Sequence, residues 1–80
     1  MNKEELKESI RTNTNRFWKH IELLNTTKHY SLESHLRRRW DRLWSNNCSN
    51  KYGLFSDLAV SELYILDNAI KKFNDLFVRD

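Results

Sequence analysis

The sequence predicts an all-α fold: a compact three-helix bundle, closed within one chain or completed and extended by homodimerisation. Three observations predict it. Apolar residues recur at steps of three and four in three separate stretches, not in the alternation of strands. Polar runs rich in Asn, Ser and Thr divide the stretches. There is no proline in the 80 residues, so long helices are permitted throughout.

The first helix is expected from about Lys3 to Leu24. Leu6, Ile10, Phe17, Ile21 and Leu24 fall on one face, with Thr14 bridging the gap. Asn2 and Glu5 fit an N-terminal capping arrangement. Asn25, Thr26 and Thr27 weaken continuation through local polar bonding and β-branching. Thr12 to Asn15 are poor helix formers and mark the least firmly ordered part.

The second helix is expected to start near Ser31, whose hydroxyl suits a cap. Leu32, Leu36, Trp40, Leu43 and Trp44 make its buried stripe. Residues 45–50 interrupt that spacing and read as a loop, with Gly53 adding backbone freedom before the next helix.

The third helix is expected near Ser56, where Phe55 and Val60 match a hydrophobic staple. Ala59, Leu63, Leu66, Ile70, Phe73 and Phe77 form its core stripe. Leu58, Ile65, Ala69 and Leu76 broaden that face enough to serve a dimer. The repeat spans fewer than three heptads and does not establish a coiled coil.

Length points to one helical domain over residues 1–80 with a small core. An aromatic content of 12% argues against disorder. Charge is uneven: residues 1–52 carry net +5 and residues 53–80 net −2. The basic part suits an acidic protein, a nucleic acid or an anionic membrane surface, and also plain solvation. The one cysteine, Cys48, has no partner for an internal disulfide. With neither a secretory leader nor a membrane span in the sequence, a reducing, cytoplasmic setting is expected.

The functional signal is the segment from Leu36 to Trp44, which holds four arginines. Side chains on a helix turn by about 100° per residue. His35, Arg38, Arg39 and Arg42 then share an outward patch, while Arg37 falls beside Asp41. Guanidinium groups make paired bonds to carboxylate or phosphate oxygens. Trp44 or Trp18 is placed to add apolar contact, whereas Trp40 belongs to the core stripe. Lys28, His29, Arg11, Arg16 and Lys19 are candidates to extend the electropositive surface.

The expected role is a non-enzymatic protein–protein interaction module, a small regulator or inhibitor that engages an acidic partner surface. The alternatives are a nucleic-acid binder making mainly phosphate contacts, and a homodimeric structural protein. No base-reading constellation is evident. No nucleophile–base pair or phosphate loop stands out, so catalysis and cofactors are not expected. His20, His29 and His35 do not have the spacing of a metal set.

Asn50-Lys51-Tyr52-Gly53-Leu54, followed by Asp57-Leu58-Ala59-Val60, resembles a stretch of the haemolysin-expression-modulating family. Those are small helical proteins that partner nucleoid-associated DNA-binding proteins. Phe55 and Ser56 depart from the pattern. The resemblance implies a protein partner and carries over no individual residue role.

Overall fold

Local chemistry at the chain ends of each helix sets where it starts and stops. The structure, a computed structural model, describes residues 2–48, 55 and 58–78. Helix α1 spans Lys3–Thr26, α2 spans Tyr30–Asn47 and α3 spans Val60–Phe77. They form a compact all-helical three-helix bundle. Its radius of gyration is 12.9 Å, near the value of about 12 Å that a chain of this length adopts when folded.

The Asn2 side chain accepts a 2.8 Å hydrogen bond from the Glu5 N–H and caps α1. Glu4 and Glu5 add favourable charge at that end. The helix ends in a Schellman motif. His29 N–H donates to Leu24 O at 2.8 Å, and Lys28 N–H to Asn25 O at 3.2 Å. The motif puts Lys28 in the left-handed region with φ of 65°. The Thr26 and Thr27 hydroxyls donate back to Glu22 O and Leu23 O, both at 2.9 Å, so the residues expected to stop the helix occupy its last turn and cap.

Helix α2 begins at Tyr30, so Ser31 lies inside its first turn and His29 occupies the cap position without a side-chain cap bond. The helix also continues through Ser45, Asn46 and Asn47, which the sequence assigned to a loop. Ser45 and Asn46 are exposed, and the extension ends at the half-buried Asn47. Asn47 donates through Nδ2 to Leu43 O at 2.9 Å, and the buried Cys48 follows it.

Helix α3 starts at Val60, about one turn later than expected, with Ala59 as its cap. Leu58 precedes the helix and is buried. Ala59 has no side-chain acceptor, so only half of a capping box is made: its N–H donates to Glu62 Oε1 at 3.3 Å. Ser56, the expected start, and Gly53 lie outside the described residues.

Each helix contributes one ring to the centre of the core. Phe17 of α1 stacks on Trp40 of α2 at 4.0 Å between centroids, with the ring planes almost parallel. Phe73 of α3 meets both edge-on, at 5.6 Å and 5.4 Å. Leu6, Ile10, Leu36, Leu63, Leu66 and Ile70 complete this core. The five apolar residues expected on the α1 stripe are all buried. Leu32, Ile65 and Leu76 are not: the structure exposes them by 44%, 56% and 65%.

Leu32 lies in the first turn of α2, toward the end of the bundle where α3 stops. Arg39 is already level with Phe77 in the last turn of α3. Leu32 sits seven residues earlier in α2, about 10 Å further along the axis. Polar groups also join α1 to α3. Ser9 Oγ donates to the buried Asp67 Oδ1 at 2.6 Å, and Lys71 pairs with Asp67 Oδ2 at 3.0 Å. Asn74, fully buried, donates through Nδ2 to Asn13 O at 2.9 Å.

Candidate functional site

Helix α2 carries its arginines on two flanks of one buried stripe. Leu36 and Trp40 point inward and fix the rotation of the helix. Arg37 then faces α1, while Arg39 and Arg42 face α3. The contacts agree: the Arg37 guanidinium lies 5.8 Å from the Trp18 ring centre, and that of Arg39 lies 5.3 Å from the Phe77 ring centre.

His35, Arg38, Arg39 and Arg42 line one cleft on the outer side of α2, as the spacing predicted. Arg39 Nε donates to His35 Nε2 at 2.8 Å, which requires that nitrogen to be unprotonated. Arg38 Nε lies 3.4 Å from Ser34 O. Arg42 is exposed. Arg37 takes no part: it pairs with Glu33 at 3.2 Å, one turn before it, and not with the expected Asp41.

The two tryptophans go elsewhere. Trp18, 41% exposed, packs edge-on against Phe17 at 5.0 Å on the α1 side of the arginine segment. Trp44 is half-buried between Trp40 and Phe55, both at 6.1 Å. Neither lines the cleft, so the apolar complement to the arginines comes from other residues.

Those residues belong to a groove between the C-terminal halves of α2 and α3. It is open, with a volume of about 310 Å³. Leu43, Ala69, Phe73, Leu76 and Phe77 give it an apolar floor and wall. Arg39, Arg42 and Lys72 supply cations along it. Arg39 and Arg42 line both concavities, so the basic cleft lies directly beside the groove. Asn46 and Asn47 carry it on to Ile65 and Glu62 near the start of α3.

Sequence reasoning missed Lys72 and the two asparagines as part of a surface, and read Leu76 only as part of a broad face able to serve a dimer. One signal was present. Ile65 and Leu76 widen the apolar face of α3 beyond what Leu63, Leu66, Ile70 and Phe73 need for the core. A stripe wider than its neighbours can cover leaves an open edge.

Among the described residues, no group of three or more His, Cys, Asp or Glu gathers at metal-binding range, and no helix is long and apolar enough to cross a membrane. Cys48 is a buried free thiol. No family model matches the chain, and neither a curated protein nor a solved structure matches it. The short resemblance over residues 50–60 therefore has no counterpart at whole-chain level, and most of that segment lies outside the described residues.

Proposed function

We propose that this chain is a non-enzymatic interaction module that captures an acidic segment of a partner protein on the outer face of α2. The observation that carries the proposal is the convergence of His35, Arg38, Arg39 and Arg42 in one cleft beside an apolar groove. Carboxylates would pair with the exposed guanidinium groups, and neighbouring apolar side chains would enter the groove. Capture would regulate or inhibit the partner by covering or reorganising its surface, without chemical turnover.

The test measures fluorescence anisotropy of a labelled glutamate-rich peptide against the intact protein and an Arg38→Glu/Arg42→Glu variant. The proposal expects the variant to lose at least about tenfold in affinity while keeping its helical circular dichroism. Unchanged binding by a helical variant defeats it. A labelled duplex DNA is titrated in parallel across a salt series. Tight DNA binding that falls steeply with salt, with no peptide binding, would assign the arginines to phosphates instead.

A further inference from the structure

We infer that the groove between α2 and α3 seats a fourth helix: an amphipathic segment of the partner, about three turns long, with carboxylates clustered toward one end. This deepens the proposed capture of an acidic protein and rests on it. Three features of the groove specify the occupant.

The first is length. Arg39 lies at Phe77 while Asn46 and Asn47 share a concavity with Glu62 and Ile65, so α2 and α3 run antiparallel along the groove. From His35 to Asn46 the concavities follow eleven residues of α2, about 17 Å at the helical rise. A helix of about twelve residues matches that span.

The second is the apolar middle. Leu43, Ala69, Leu76 and Phe77 offer surface to side chains spaced at i, i+3, i+4 and i+7, the repeat of helix-in-groove recognition. Ala69 is small, which lets a neighbouring helix approach closely. An apolar floor gives a phosphodiester backbone few donors, so nucleic acid suits the arginine end alone.

The third is charge. Arg38, Arg39, Arg42 and Lys72 collect toward one end, while Glu62 stands at the other. A partner helix with acidic residues over the arginine end complements this gradient. A second copy of this chain does not. A two-fold contact between identical grooves sets the four cations of one copy over a single carboxylate, Glu62, of the other and leaves most of them unmatched.

The test uses a synthetic peptide of about fourteen residues, with leucines at i, i+3, i+4 and i+7 and glutamates in one terminal turn. Its control is a scramble of the same composition that scatters the leucines. Anisotropy should show the full chain preferring the patterned peptide by at least about tenfold. The key variant is Leu76→Lys. Leu76 is 65% exposed, so the bundle tolerates the change, and circular dichroism checks this. Leu76→Lys adds a cation, so a surface that reads only charge keeps or gains affinity for both peptides. A groove that seats an apolar helix face loses its preference for the patterned one.

Equal binding of the two peptides, with both lost in Arg38→Glu/Arg42→Glu, overturns the helix inference and leaves acidic capture standing. Failure of both peptides to bind removes the two together. The helix inference is also overturned if sedimentation shows a dimer that dissolves on Leu76→Lys and is not displaced by the patterned peptide, because the second copy is then the occupant.

Discussion

Replacing Trp40 by alanine removes the α2 member of the three mutually packed rings, one from each helix, at the centre of the core. Trp40 is 3% exposed and packs against Phe17 at 4.0 Å, Phe73 at 5.4 Å and Trp44 at 6.1 Å. Truncations of this kind cost about 3–5 kcal/mol, because transfer energy and the cavity left behind add. An 80-residue chain has a total stability of about 4–12 kcal/mol. The substitution therefore removes a large part of the stability and, at the low end, unfolds the protein. Trp18→Ala is the matched control. Trp18 is 41% exposed, meets Phe17 only by its edge and touches the Arg37 guanidinium, so its loss should cost about 2 kcal/mol, less than that of Trp40. Urea unfolding followed by far-ultraviolet circular dichroism separates the two. With a slope of about 1 kcal/mol per molar, Trp40→Ala shifts the midpoint by about 3 M or abolishes the transition. Equal costs for the two substitutions, or less than about 1 kcal/mol for Trp40→Ala with an unchanged slope, would refute the assignment of Trp40 as the keystone of the core.

Three further substitutions test the ends and the polar seam of the bundle. Lys28→Gly should stabilise the fold by about 0.5–1 kcal/mol, because only the side chain opposes the left-handed backbone there. A thermal melt reads this as a rise of about 3–6 °C. Ala59→Ser should complete the capping box opposite Glu62 and add about 0.5–1 kcal/mol in the same assay. Asn74→Asp nearly preserves shape but turns the donor facing Asn13 O into an acceptor and buries a charge. It should destabilise by at least about 3 kcal/mol in urea titrations.

The helix interiors were legible in the sequence, and the boundaries were not. Leu6, Ile10, Phe17, Ile21 and Leu24 are buried as their spacing required, since periodicity reports a single helix face directly. The end of α2 was misread because Asn46 and Asn47 have poor intrinsic propensity, which the Asn47 bond to Leu43 O and the buried Cys48 after it outweigh. Leu32 looked like core because its angle around α2 is right, but burial also depends on whether a neighbour reaches that height along the axis. The cleft of His35, Arg38, Arg39 and Arg42 was legible, being a local property of one helix. The groove was not. Whether the Arg39–Arg42 flank meets α3 or α1 depends on the handedness of the bundle, and helical periodicity is the same for both hands. Lys72 and Leu76 could join the site only once that was known.

The seating of Arg39 has a kinetic consequence. Its Nε is held by His35 and its guanidinium rests over Phe77, so the side chain has surrendered much of its rotamer freedom before any visitor arrives. Immobilising a free arginine at an interface costs about 0.5–1.5 kcal/mol, and here that loss falls on folding. A carboxylate of the proposed partner would meet a fixed jaw rather than a waving arm, and a release-rate comparison with His35→Ala, where the jaw swings free, would register the difference.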